Sequence, residues 1–257
     1  MHTASPFPIK YVKNEMDLIN PAKEGTLRVM NAAKNNSIDR IIITSSNAAV
    51  YAGNKHITSF DETMWSNIDS KNVRAYTKSK TVAEKAAWEF AKKNSSIVLT
   101  TINPVLVWGP GIGDHSSSAS LKIFDMLIKK ALPMVPKVKM PLVDVRDVSK
   151  LHIQSLENSK SDNKRIIATS QNGISFLEIS TMLRKLGFEK APINLIPNKV
   201  IYSLAPFNRE MRSTSFMIKR GCYETDISKT KAIFNWNEIT LEKTLKDMTE
   251  SLHLLDV

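Results

Sequence analysis

The chain has 257 residues and is 42% hydrophobic, enough apolar material for one large domain or for a domain with a small appendage. It has no run of about 18 apolar residues, so we expect no membrane span, and residues 1–23 lack the apolar core of a signal peptide. The single cysteine, Cys222, favours a reducing, cytoplasmic location. The net charge is +11, but the lysines are spread along the chain without a basic block, so we expect no nucleic-acid partner.

The hydrophobic pattern predicts alternating helices and strands. Short continuous apolar runs such as Arg40–Thr44 are typical of parallel strands that are buried on both faces. Ser175 and Glu178 form a capping box that begins a helix ending near Gly187. In chain order, the other predictions are helix Glu15–Asn35, strand Arg40–Thr44, a loop over residues 53–72, helix Arg74–Lys93, strand Ser96–Ile102, helix Ala119–Leu132, helix Val145–Asn158, strand Arg165–Thr169, and two closing helices with N-caps at Asp226 and Thr240.

The helix predicted from Arg74 carries a tyrosine and a lysine one turn apart. At about 100° per residue, Tyr76 and Lys80 share a stripe with several alanines, and Lys80 is then the one charge in an otherwise apolar stripe. Burial of an ammonium without a partner is costly, so we interpret Lys80 as functional. The alternative is a lysine whose side chain extends from the stripe to water.

These two side chains suit proton transfer to a carbonyl. A phenol has a reference pKa of ~10, and a nearby ammonium favours its ionised form, so we expect Lys80 to lower the pKa of Tyr76. Ser46, at the end of the first predicted strand, is placed to hydrogen-bond the substrate oxygen. The alternative for Ser45 and Ser46 is a purely local role, in which their hydroxyls satisfy backbone groups.

A second tyrosine has the same spacing to a lysine. Tyr51 precedes Lys55 by four residues, but Gly53 and Asn54 indicate a turn between them. The two side chains therefore do not share a helix face, and we exclude this pair.

Several segments together carry a family resemblance. They are Thr44–Tyr51, Asp61–Ser66, Tyr76–Lys80, Asn103–Pro110 and Val143–Val148. In this order they resemble the extended short-chain dehydrogenase/reductase family, to which NAD-dependent epimerases and dehydratases belong. More narrowly, the chain is similar to the dihydroflavonol-4-reductase-like branch, which includes aldehyde and ketone reductases.

The resemblance implies a role for each candidate residue. Ser46 orients the carbonyl, Tyr76 donates the proton, and Lys80 binds the nicotinamide ribose and tunes Tyr76. The implied cofactor-binding residues are Ala4, Tyr76, Lys80, Pro104 and Val107. NADP(H) is the expected cofactor, with NAD(H) as the alternative, and the substrate is a small carbonyl compound or alcohol. We assign no metal ligand.

The implied fold is an α/β protein with an incomplete Rossmann-type, doubly wound parallel sheet and a smaller C-terminal α/β substrate lobe. Residues 1–150 would form a partial NAD(P)-binding domain that lacks its first strands. Residues 151–257 would mainly form the substrate lobe, interleaved with the end of the sheet.

The family's Gly-rich phosphate turn is not found in this sequence. The segment Gly109–Gly113 fails as a dinucleotide fingerprint because Asp114 stands where a glycine is required. By resemblance, something like 70 to 80 residues are absent before Met1, at ~30 residues per βαβ unit. We therefore expect a truncated chain that binds dinucleotide poorly.

Two other functions remain open. A nucleotide-sugar epimerase or dehydratase shares the serine, tyrosine and lysine, although Asp61–Ser66 favours the reductase. A non-catalytic remnant is favoured by the missing phosphate turn and disfavoured by the intact Ser46, Tyr76 and Lys80. A sheet that lacks its first strands would expose an edge, so a homo-oligomer is also left open.

Overall fold

The structure of the chain is a computed structural model that describes residues 1–6, 12–54, 56–71, 73–111, 119–129, 133–221 and 223–253. Lys55, Cys222, Ile112–Asp114 and the predicted helix end at Leu132 therefore lie outside the described residues. The helices are α1 Met16–Asn35, α2 Ala48–Tyr51, α3 Ala75–Lys93, α4 Ala119–Ile128, α5 Val145–Glu157, α6 Phe176–Lys185, α7 Asn198–Leu204, α8 Arg209–Arg220, α9 Ser228–Phe234 and α10 Leu241–His253. The strands are β1 Arg40–Thr44, β2 Ser59–Phe60, β3 Val98–Pro104, β4 Leu106–Trp108, β5 Val135–Pro136, β6 Lys139–Asp144, β7 Arg165–Ala168, β8 Gln171–Ser175, β9 Leu195–Ile196 and β10 Glu224–Thr225.

A parallel sheet with the strand order β1-β3-β7 is the centre of the first half of the fold. Ile41 of β1 is in register with Leu99 of β3, and Ile102 of β3 with Ile166 of β7. On the other side of β1, His2 forms an isolated parallel bridge with Ile43. The predicted α/β class with a parallel sheet is confirmed.

Successive residues of β1 point to opposite faces of this sheet, as the period of two in a strand requires. Ile41 and Ile43 pack with Met30 of α1 and Ala87 of α3 in one buried cluster. Thr44 instead points toward α5, where its hydroxyl is 2.6 Å from His152 Nε2. Helices therefore cover both faces, as in the predicted doubly wound arrangement.

A second core forms around a mixed sheet with the strand order β4-β6-β8. Strand β6 runs parallel to β4 and antiparallel to β8. Trp108 packs edge-to-face on Phe124 of α4, with ring centroids 5.6 Å apart. Leu142 of β6, Leu183 of α6 and Leu245 of α10 complete the centre of this buried cluster.

The chain divides into two compact units that alternate along the sequence. The first contains Met1–Val105, Arg146–Thr169 and Thr225–Asn237, and the second contains Leu106–Val145, Ser170–Glu224 and Glu238–Val257. It stays a prediction that residues 1–150 bind the cofactor and that residues 151–257 mainly form the substrate lobe.

Some element boundaries differ from those predicted. Strand β3 extends to Pro104, because a proline at the strand end needs no N–H in the ladder. The predicted N-cap at Asp226 is wrong by one residue, since Ile227 is the N-cap of α9, although Asp226 accepts a hydrogen bond from the Ser228 N–H at 2.8 Å. Thr240 does precede α10, and its hydroxyl accepts from the Lys243 N–H at 3.3 Å.

Two features are absent from the part of the chain that the structure describes. There, no helix has both the length and the apolar character that crossing a bilayer needs. In the same residues, no three His, Cys, Asp or Glu side chains are grouped so that they could hold a metal ion.

Gly53 lies in a backbone conformation that a side chain would disturb. Its φ is +78°, and a Cβ there would lie 2.1 Å from the Asn67 carbonyl oxygen. We expect Gly53→Ala to lower the free energy of unfolding by more than about 2 kcal/mol. The control is Gly25→Ala in α1, where nothing lies within 4 Å of the added Cβ and where we expect a gain of about 0.5 to 1 kcal/mol. Urea unfolding of both variants measures the difference, and equal stabilities would contradict this account.

Candidate active site

Tyr76 and Ser46 meet at the carboxyl end of β1. Tyr76 is in the first turn of α3, and Ser46 follows β1 by two residues. A side-chain hydrogen bond joins the tyrosine phenol to the Ser46 hydroxyl. The Ser46 hydroxyl oxygen accepts a separate hydrogen bond from the Ala48 N–H at 3.1 Å, which fixes its rotamer at the start of α2. The two predicted catalytic hydroxyl groups are thus brought together.

The pKa of Tyr76 departs from the expectation based on the sequence. Burial of the phenol raises its pKa above the ordinary value, the hydrogen bond from Ser46 partly offsets this, and Tyr51 raises it further. The expected lowering by Lys80 is wrong in this structure, because desolvation of the phenolate outweighs the other influences. Tyr76 is therefore a protonated phenol at neutral pH.

Lys80 is buried one helical turn after Tyr76, as the stripe on α3 predicted. Its side chain is 8% exposed, and Nζ lies 5.7 Å from the centroid of the Tyr76 ring. Burial lowers the pKa of Lys80 from 10.5 to about 8, although the negative charge of Glu84 raises it. At this distance the ammonium favours negative charge on the phenol ring, so it still stabilises a phenolate that forms during a reaction.

The N-terminal segment closes one side of a small recess beside Lys80. His2, Ala4 and Ser5 line this recess together with Ile43–Ser45 and Lys80. The pKa of His2 is lowered by its burial and by the positive charges of Lys80 and the chain terminus. Ala4, predicted to contact a cofactor, therefore does share a recess with Lys80.

Pro104 is tied to the Ser46 segment through the backbone. The Asn47 N–H donates to the Pro104 carbonyl at 2.8 Å, which places the end of β3 beside the end of β1. Both polar side-chain atoms of Asn47 are buried and have no hydrogen-bond partner among the residues that the structure describes. Val107 lies in β4, within the second compact unit, and its predicted contact with a cofactor stays a prediction.

A second buried charge on α3 was not predicted from the sequence. Glu84 is 2% exposed and lies one turn after Lys80, within the same stripe. The prediction that Lys80 is the one charge in this otherwise apolar stripe is therefore wrong. The signal was present, because a carboxylate four residues after a lysine on a helix shares its face. Asn47, whose buried amide lacks a partner among the described residues, gave no comparable signal in the sequence.

Three comparisons with known proteins agree on one type of protein. Residues 2–168 match the NAD dependent epimerase/dehydratase family. Over 188 residues the chain is 34% identical to the NADPH-dependent methylglyoxal reductase GRE2 of Saccharomyces cerevisiae, and over 191 residues it is 35% identical to the cinnamoyl-CoA reductase CAD2 of Medicago truncatula. These alignments cover 66% and 72% of this chain and 55% and 57% of the relatives. The chain thus spans about half the length of the curated relatives that it matches.

The fold is shared with a solved structure as well. The crystal structure of Gre2 with NADPH from Candida albicans superposes with a TM-score of 0.77 at 29% identity. That match covers 98% of this chain and 76% of the other.

Buried Lys80 is expected to cost stability. Because its pKa of about 8 lies below 10.5, the folded chain binds fewer protons than the unfolded chain between these values, and stability rises with pH in that window. At about pH 7 we expect Lys80→Met to raise the free energy of unfolding by about 2 to 3 kcal/mol, a difference that narrows toward pH 10. Urea unfolding at both pH values measures it, with Lys92→Met, on the exposed side of α3, as the control. A variant no more stable than wild type at neutral pH would contradict the prediction.

Proposed function

Because the chain belongs to the NAD dependent epimerase/dehydratase family, we propose that it is an NADPH-dependent reductase of the dihydroflavonol-reductase-like type that converts an aldehyde or ketone to the alcohol. The observation that carries this proposal is the hydrogen bond between Ser46 and Tyr76, with the ammonium of Lys80 beside the same ring. These three groups form a proton donor, a carbonyl-orienting hydroxyl and a buried cation in one place.

The polar groups beside Tyr76 are of the kind that bind the ribose of a dinucleotide. Lys80 is a buried ammonium whose N–H groups suit ribose hydroxyls, and it opens onto the recess lined by Ala4. Asn47, next to Ser46, has a buried amide without a hydrogen-bond partner in the described part of the chain, and such a group is costly unless something hydrogen-bonds to it. Contacts of Ala4, Lys80 and Pro104 with the cofactor are proposed on the family resemblance.

Each side chain has a distinct part in the proposed reaction. Bound NADPH supplies the hydride for the carbonyl carbon. Ser46 donates a hydrogen bond that orients the carbonyl oxygen, and Tyr76 transfers its proton to that oxygen, so the alcohol is formed. The raised pKa keeps Tyr76 protonated before the reaction, and the ammonium of Lys80 stabilises the phenolate that remains afterwards.

The choice of cofactor and substrate class rests on the relatives. Both the yeast and the Candida proteins are described with NADPH, and the yeast protein as a methylglyoxal reductase, so we propose NADP(H) rather than NAD(H) and a small carbonyl compound as substrate. A cytoplasmic location is proposed with it, since a single cysteine suits a reducing compartment. Formation of a homo-oligomer stays an untested prediction.

The direct test combines binding with turnover. NADPH and NADH are titrated separately into the chain while tryptophan fluorescence is recorded, and NADPH oxidation is then followed with methylglyoxal as substrate. Tighter binding of NADPH with turnover is expected. Binding of neither nucleotide would favour a non-catalytic remnant, and conversion of a nucleotide sugar without net NADPH oxidation would favour an epimerase.

Tyr76→Phe separates proton transfer from cofactor binding. Removal of the phenolic proton donor is expected to lower turnover by about 10² to 10⁴-fold, while NADPH affinity changes little, because the ring and Lys80 remain. Tyr202→Phe is the matched control, since it removes an exposed phenol from α7, in the second compact unit. Undiminished turnover in Tyr76→Phe would exclude Tyr76 as the donor.

A further inference from the structure

A buried carboxylate behind the candidate active site accepts an unusually large set of hydrogen bonds. Glu84 Oε1 accepts from Arg165 Nε at 2.6 Å, from Thr101 Oγ1 at 3.0 Å and from Trp88 Nε1 at 3.3 Å. Glu84 Oε2 accepts from the Ser45 hydroxyl and from Asn103 Nδ2, the latter at 2.7 Å. One side chain of α3 thus joins β1, β3 and β7.

The partner of this carboxylate is buried as well. The side chains of Arg165 and Glu84 are 9% and 0% exposed. Removing two charges from water is expensive, and replacement of such a pair by apolar residues is often neutral or stabilising. Stability alone therefore does not account for this ion pair, and its role is inferred from the groups that it holds in place.

Arg165 also holds the loop that contains the Asp61–Ser66 segment. Its Nη1 donates to the carbonyl oxygens of Glu62 at 2.8 Å and Met64 at 2.5 Å, and its guanidinium lies 3.7 Å from the centroid of the Trp65 ring. At the end of the same loop, the Ser66 hydroxyl donates to the Ala48 carbonyl at 2.6 Å. The loop is thereby fixed against α2, directly after Ser46.

A single amide connects the ion pair to the site. Asn103 Nδ2 donates both to Glu84 Oε2 and, at 3.2 Å, to the carbonyl oxygen of Ser46. Asn103 immediately precedes Pro104, whose carbonyl accepts from the Asn47 N–H. The peptide group between Ser46 and Asn47 is consequently held at its carbonyl by the Asn103 amide, which also binds Glu84, and at its N–H by the Pro104 carbonyl.

We propose that Glu84, held by Arg165, is a positioning residue that sets the main chain of Ser46 through Asn103 and thereby maintains the hydrogen bond between Ser46 and Tyr76. The value of this arrangement for catalysis rests on the proposed reductase function. The geometric effect on Tyr76 does not, and it is therefore tested separately.

The test measures the Tyr76 phenol directly by NMR of the chain labelled with ¹³Cζ-tyrosine, at neutral pH. The Tyr76 signal is assigned by its loss in Tyr76→Phe, and Ser46→Ala gives its position when the hydrogen bond is absent. In Glu84→Gln we expect the signal to move most of the way toward the Ser46→Ala position. The matched control is Asp162→Asn, which breaks the ion pair with Arg40 at the opposite end of β1 and should leave the signal unchanged.

A purely structural role gives a different result. If Glu84→Gln lowers the melting temperature but leaves the Tyr76 signal at its wild-type position, the proposal is overturned. Should Glu84→Gln fail to fold, Asn103→Ala removes only the connecting amide and is expected to give the same displacement. An unmoved Tyr76 signal in that variant overturns the proposal equally.

Kinetics provide the second measurement. Glu84→Gln is expected to lower kcat for carbonyl reduction by about 10 to 100-fold with a small change in KM for NADPH, because displacement of a catalytic group by an ångström has costs of this order. Asp162→Asn is expected to retain both constants. Wild-type chain without any turnover would contradict the proposed function, while the NMR result would still decide the role of Glu84.

Discussion

The close packing of α3 against β1 and β3 is the constraint on which the rest of the site depends. Small side chains make this approach possible, since Ala87 and Ala91 are almost fully buried in one cluster with Ile41 and Ile43 of β1, Leu99 of β3 and Met30 of α1. The same face carries the two charged residues, so the helix can lie against the sheet only with Lys80 and Glu84 inside the protein. Their burial in turn places the first turn of α3 over the end of β1, where its phenol reaches the hydroxyl of the strand-end serine.

The two buried charges differ in how they are compensated. Glu84 is surrounded by donors and by a guanidinium, so its charge is well satisfied. Lys80 has a lowered pKa, which shows that desolvation outweighs the attraction of the carboxylate one turn away. A cation held at such a cost is characteristic of a functional site, because a structural position would be better filled by an apolar side chain. The site is therefore arranged around a poorly solvated ammonium, and the well-paired carboxylate lies behind it.

Much of the fold around the site could be predicted from the sequence. The continuous apolar run of β1 and the strong periodicity of α3 located both elements to within a residue or two, since burial on both faces and a period near 3.6 leave clear signals. Helices α7 and α8 were not predicted. Several of their large apolar side chains, such as Leu204 of α7 and Phe216 of α8, are exposed, so these helices lack the buried apolar stripe on which a prediction from periodicity relies.

The sequence by itself determined which chemical groups are available: a strand-end serine, and a tyrosine and a lysine one helical turn apart, because spacing along a helix decides which side chains share a face. Only the tertiary structure decided how these groups behave. The direction of the Tyr76 pKa shift, the connection from Glu84 through Asn103 to Ser46, and the recess shared by Ala4 and Lys80 all depend on contacts between segments far apart in the chain. Desolvation and hydrogen bonding are set by what surrounds a group in space, and a linear pattern does not contain that information.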